Sequence, residues 1–252
     1  MNNHGDRFEE ESRNDLVRFS RWLSRLGFAP GTSGNLSVRL DQDRLLITPT
    51  GVSKALVRRA DMVIVDLQGH LLCGTRRATS EVGMHLAIYE NRTDVRAVIH
   101  AHPPIATAFA CSGRALDEML CQESVMTVGR IPLAAYATTG TDEVATSLHP
   151  YVSEHDAILL ENHGAVSYGS NLLDALMRME TIEHLAHVAL VAHQLGSPRL
   201  LRPDQIQELK RAKTRYVSNA QNGSQSEMAA VERSNSGTNI EEYAEDHARI
   251  SA

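Results

Sequence analysis

Aromatic residues make up only 4% of the 252 positions, so the core has to be built mainly from Leu, Val, Ile, Ala and Met. Cysteine is scarce too. Cys73, Cys111 and Cys121 are widely spaced and form no C-x-x-C pair, which argues against a disulfide framework and against a thiolate zinc site. No apolar run is long enough to span a bilayer, so no membrane partner is expected. The opening stretch MNNHGDRFEEESRND has neither the basic nor the apolar region of an export signal, and a cytoplasmic location is expected. Positive charge is in short supply. The net charge is −6; residues 220–252 hold six acids against Arg233 and Arg249, a net −4, leaving the body at −2. Without a basic stripe to contact phosphates, nucleic acid is not an expected partner. GTSGN spaces its glycines wrongly for a dinucleotide fingerprint, and Gly-Lys-Ser/Thr is absent.

Twelve histidines remain, and two of them stand in VIHAHPPIA, residues 98–106. Side chains alternate faces along a strand, so His100 and His102 would project to the same side, as two ligands of one metal ion must. Pro103 and Pro104 cannot donate to a sheet ladder, which would leave the pair at an open strand end. A third candidate is His163 in LLENHGAV, at the end of another apolar strand. Three imidazoles suit zinc or a similar divalent ion, with a fourth position for an acid, water or substrate. Glu81 is the favoured acid, at the start of a helix just before the His-x-His strand.

Residues 8–26 place Phe8, Leu16, Phe19, Trp22, Leu23 and Leu26 at helical spacing, with Gly27 as terminator. NLSVRL and RLLITPT form an expected hairpin, and MVIVDLQGHLL a strand pair about Gly69. Thr79 or Ser80 would cap a helix through EVGMHLAIYENR. VRAVIHA reads as a buried strand, and AILLEN and GAVSYG as two more around a tight Asn162-His163-Gly164 turn. A long helix is expected from Ser170 to about Gly196, and a last one from Pro203 toward Tyr216. Strands that arrive in pairs joined by tight turns argue for an α/β fold with a central, largely antiparallel sheet flanked by helices. One catalytic domain, 1–218, and an acidic, disordered tail, 219–252, are the expected organisation.

The blocks GTSGNLSVR, LLITPTG, ATSEVGMH, VIHAHPP, PLAAYATTGT and ENHGAVSYG occur in the order found in the class II aldolase and adducin family. From about residue 10 to 216 the chain resembles that family, and most closely its L-fuculose-phosphate aldolase branch. The resemblance implies a three-layer fold and one Zn2+ or other divalent cation per chain, bound by His100, His102 and His163. Glu81 would be both ligand and acid/base. It also implies a phosphate pocket formed by Thr32, Asn35, Thr50, Gly51, Thr79 and Ser80, which agrees with the small side chains and the helix N-terminus found there.

The implied reaction is cleavage of a ketose 1-phosphate to dihydroxyacetone phosphate and an aldehyde through a metal-stabilised enediolate. Glu81 would serve the enediolate side, and Tyr136, reaching a neighbouring subunit's site, the aldehyde half; Tyr216 matches a second family tyrosine loosely. A homotetramer with active sites at subunit interfaces follows from the same resemblance. Related 4-epimerases carry aspartate at the position of Glu81 and a partner-subunit acid missing before AAYATTGT. Decarboxylases, dehydratases and non-catalytic adducin-like modules are the other family options. His85 reads as helix packing, and His184, His187 and His193 as surface or interface residues. Arg39, Lys54 and Arg58 are possible aids to phosphate binding that the sequence does not place.

Overall fold

The computed structural model describes residues 3–216. The expected tail, 219–252, lies outside the described residues. Two compact units divide at Pro203/Asp204. The first carries helices α1 (Asn3–Arg25), α2 (Val82–Asn91), α3 (Pro104–Cys111), α4 (Gln122–Met126), α5 (Asp142–Val152) and α6 (Leu172–Gln194). Its strands are β1 (Asn35–Arg39), β2 (Arg44–Ile47), β3 (Val63–Asp66), β4 (Leu71–Cys73), β5 (Ala97–Ala101), β6 (Leu133–Ala134), β7 (Ala157–Leu160) and β8 (Gly164–Gly169). Residues 204–216, in a helix that starts at 203, are the described part of the second unit.

The eight strands form one sheet in the order β4-β3-β2-β1-β5-β8-β7-β6. Every pair is antiparallel except β6 with β7. Alternation along the strands divides the core in two. Leu36 and Val38 of β1, with Ala97, Ile99 and Ala101 of β5, face α1, α3 and α6; Val98, Val166 and Ile158 face α2 and α5. Two buried layers on one sheet explain why the central strands are buried on both faces, with each buried Leu or Ile contributing about 1.5–3 kcal/mol.

Several local expectations shift by a residue or two. Strand β5 stops at Ala101, so His102 lies just past it, its N–H donating to Phe28 O at 2.7 Å. Pro104 does not merely end a strand; it occupies the first turn of α3, where its missing N–H costs nothing. The residue capping α2 is Glu81, not Thr79 or Ser80, and the Thr79 hydroxyl accepts the Glu81 N–H at 3.3 Å. Helix α1 ends at Arg25, and Gly27 follows with φ 75°, the left-handed conformation of a helix stop.

Candidate active site

Antiparallel pairing of β5 with β8 puts His100 opposite Val166, directly beside the turn that carries His163. That turn is tight because Asn162 takes a left-handed φ of 55°. Gly164 then passes so close to His102 that a Cβ there would stand 2.6 Å from the ring's Cδ2 and 2.7 Å from Ala101 O. The outcome is a cluster of three imidazoles. His100, His102 and His163 each offer a nitrogen, all within 4.8 Å of one another, and no other such cluster occurs among the described residues.

Glu81 completes the group from the start of α2. Its Oε2 is 3.3 Å from His100 Nε2 and its Oε1 3.3 Å from His163 Nε2. Burial works to raise its pKa; the imidazoles of His100 and His163 and the Asn35 hydrogen bond outweigh it and hold the carboxyl below its usual range. His100, fully buried, is pushed down to about 3, first by burial, which the nearby Glu81 only partly offsets. His102 is lowered by burial and by His163. Neutral rings and an ionised acid are the protonation states that metal ligation requires.

The hydrogen bonds give an independent test of fit. His100 Nδ1 lies 2.9 Å from the Ala165 carbonyl and must donate to it, so its Nε2 carries a lone pair. His102 Nε2 stands 3.0 Å from that same atom, and Glu81 Oε1 is buried with no hydrogen-bond donor. The lone pair of His100 Nε2, the His102 nitrogen facing it and a carboxylate oxygen without a donor converge on one place, which is the donor set of a cation site, so the residues fit a divalent metal.

Beside the imidazoles opens a cleft of about 200 Å³, lined by Thr32, Asn35, Thr50, Gly51, Thr79, Ser80, Glu81, His102 and His163 among others. Two backbone links join the Thr50 and Thr79 segments, Thr50 N–H to Arg77 O and Thr79 N–H to Thr48 O. Lys54 also lines the cleft. It is 1% exposed, and its Nζ donates to Thr32 O at 3.2 Å and Val52 O at 3.0 Å, stapling two of the loops; burial draws its pKa down to about 8. Arg39 and Arg58 sit elsewhere: Arg39 donates to Tyr89 O under the sheet, and Arg58, largely exposed, pairs with Asp61.

Tyr136 follows β6, its backbone N–H held by Glu161 Oε2 at 2.7 Å, in the turn that leads to His163; the side chain is 62% exposed. Tyr216 lies in the second unit and is 73% exposed. His193 pairs with Glu118 at 2.8 Å. That pair borders on a larger cavity, about 280 Å³, whose walls are Phe109, Leu116, Leu120, Leu185 and the rim residues Arg114 and Glu118; no metal-ligand cluster faces it. His85, expected as packing, is buried with both ring nitrogens hydrogen-bonded, Nε2 with Asn35 Oδ1 at 2.5 Å and Nδ1 with Ser37 Oγ at 2.6 Å. Its signal in the sequence is the four-residue spacing of Glu81, His85 and Tyr89.

Residues 14–190 match the model of the Class II Aldolase and Adducin N-terminal domain. A 5-methylthioribulose-1-phosphate/5-deoxyribulose-1-phosphate aldolase of Rhodospirillum rubrum is 34% identical over 209 residues, 83% of this chain and 94% of the relative. A 3-oxo-tetronate 4-phosphate decarboxylase of Haemophilus influenzae is 35% identical over 176 residues, 68% of this chain and 83% of the relative. Among solved structures, an L-fuculose 1-phosphate aldolase superimposes with a TM-score of 0.75 at 30% identity, covering 80% of this chain and 95% of that one.

Proposed function

The chain belongs to the class II aldolase and adducin family, and from that premise we propose that it is a metal-dependent aldehyde-lyase that cleaves a ketose 1-phosphate to dihydroxyacetone phosphate and an aldehyde. One observation carries the reading: three convergent imidazoles and a buried, ionised Glu81 stand at one end of a cleft whose other end is built of small polar loops and a buried lysine. The first half suits a carbonyl, the second a phosphate.

His100, His102 and His163 would hold the ion, Zn2+ in this reading, with Glu81 as a further ligand. When bound there, a divalent cation supplies a positive charge that withdraws electrons from a ketone. Thr32, Asn35, Thr50, Gly51, Thr79 and Ser80 anchor the phosphate through hydroxyls, an amide and backbone N–H groups at the start of α2, and fix the ketone's distance from the histidines. As C3–C4 breaks, the C4 hydroxyl loses a proton and C3 gains one. Glu81 is placed to serve C3. Tyr136, exposed on its own chain, serves the C4 oxygen of a neighbouring subunit's substrate in a homotetramer, with Tyr216 as a second aromatic contributor.

The decarboxylase relative motivates a second reading, in which the same cleft takes a 3-oxo acid phosphate and releases CO2. A panel of ketose 1-phosphates and a 3-oxo-tetronate phosphate, assayed for dihydroxyacetone phosphate and for CO2, separates the two. Dihydroxyacetone phosphate from a ketose 1-phosphate supports the aldolase; CO2 alone, or an epimerised sugar, overturns it.

A further inference from the structure

Strand β1 turns three polar side chains, Asn35, Ser37 and Arg39, toward α2 rather than toward water, and all three are buried. Helix α2 answers with Glu81, His85 and Tyr89. Two residues of strand advance about 6.6 Å, and four of helix about 6 Å, so the two polar rows keep step. The rungs are a continuous chain: Tyr89 Oη to Ser37 Oγ at 2.9 Å, Ser37 Oγ to His85 Nδ1 at 2.6 Å, His85 Nε2 to Asn35 Oδ1 at 2.5 Å, and Asn35 Nδ2 to Glu81 Oε2 at 2.8 Å.

Every proton in this chain is assigned by its last member. An ionised carboxylate only accepts, so the Asn35 amide nitrogen must face Glu81, and its carbonyl must face His85. His85 Nε2 therefore carries the hydrogen and Nδ1 is bare. Ser37 donates to Nδ1, and Tyr89 donates to Ser37. Neither His85 nor Ser37 lines the cleft, and Tyr89 is 1% exposed, so the chain reaches Glu81 only from behind.

We propose that His85 is a positioning residue for Glu81. By locking the orientation of Asn35, it fixes Oε2 beside His100 and leaves Oε1 directed toward His163. The inference deepens the proposed function, resting on Glu81 as ligand and proton carrier, and it gives Asn35 a task besides lining the phosphate end of the cleft.

The test uses the full chain in three measurements. In metal-free protein labelled with 15N-histidine, the His85 ring should show a protonated Nε2 and a bare Nδ1. In H85L, Zn2+ affinity, read by competition with a chromophoric chelator, or kcat for solvent-deuterium incorporation into dihydroxyacetone phosphate should fall about 10–100-fold with KM nearly unchanged. H85Q, whose amide can donate to Asn35 and accept from Ser37, should recover most of that loss. A Nδ1-protonated or charged ring overturns the proposal, as does a folded H85L with both quantities within about twofold of the parent, since removing such a partner typically costs at least about tenfold. If the parent exchanges no deuterium, the aldolase reading fails by itself, and the ring tautomer and Zn2+ affinity still decide the role of His85.

Discussion

Gly164 and His102 occupy one space: the hydrogen of the glycine faces the imidazole where a methyl group would stand 2.6 Å from Cδ2. The chain at this point is also held by β7–β8 pairing, with Leu160 opposite Gly164, so the backbone cannot retreat freely. Gly164→Ala should therefore displace the His102 ring and weaken Zn2+ binding at least about tenfold, the scale of lost support around a metal ligand. Dialysis against a buffered Zn2+ series, followed by metal analysis, measures it; unchanged stoichiometry and affinity would show that the ring is not pinned there.

Removing a ligand should act more sharply. His163→Ala and His102→Ala should each purify with far less than one divalent ion per chain and lose activity, whereas the parent holds about one. Chelator treatment should inactivate the parent, and Zn2+ should restore it. An alanine variant that keeps the metal would mean that the cluster is not the binding site.

Lys54 offers a test of the phosphate end. Its amine is buried in the cleft, and a charge-assisted contact of about 1.5–3 kcal/mol corresponds to roughly 10–100-fold in binding. Lys54→Met should weaken competitive inhibition by inorganic phosphate by that order. Because burial lowers the amine to about 8, the parent's affinity for phosphate should decline as pH rises through 8, and the variant's should not. Equal phosphate inhibition in both proteins would remove Lys54 from the site.

The buried His85 predicts how the metal-free protein responds to acid. Burial, only partly offset by Glu81, lowers the ring from 6.5 to about 4. Below 6.5 the unfolded chain takes up a proton that the folded one refuses. The ring's contribution is therefore complete above pH 6.5 and is lost as pH falls toward 4, at up to about 1.4 kcal/mol per pH unit. Urea midpoints at pH 7.5, 5.5 and 4.5 should fall in that order, less steeply in H85L. Parallel profiles would show that His85 is not buried in its neutral form.

Tyr136→Phe separates catalysis from folding. Removing the hydroxyl of a ring that is 62% exposed on its own chain should leave the thermal midpoint unchanged, while loss of the group that takes the proton from the C4 hydroxyl costs about 10²–10⁴-fold in kcat. A variant with full activity would end the role proposed for Tyr136.

The clustering of His100, His102 and His163 was legible in the sequence because its determinants are local: an apolar strand, a two-residue spacing, and an Asn-His-Gly turn. The sheet was legible in its antiparallel character, since its hairpins are short, but not in the parallel entry of β6, which depends on pairing over a distance. Helices α3 and α5 escaped notice for different reasons. Two prolines at 103 and 104 read as a strand end, and Pro150 interrupts the pattern of α5 although Thr141 caps it by accepting the Glu143 N–H. Least visible was the polar row Asn35, Ser37 and Arg39. Alternation in NLSVR looks like a half-exposed strand, and only the packing of α2 reveals that its polar half is interior.

The bond from His100 Nδ1 to Ala165 O spans 65 residues of chain. No fragment emerging early from a ribosome can hold all three imidazoles, because His163 is reached only after most of the sheet's strands have been made. The three-imidazole cluster is thereby a late product of biosynthesis, since His100 and His102 can meet His163 only once β5 and β8 have found each other.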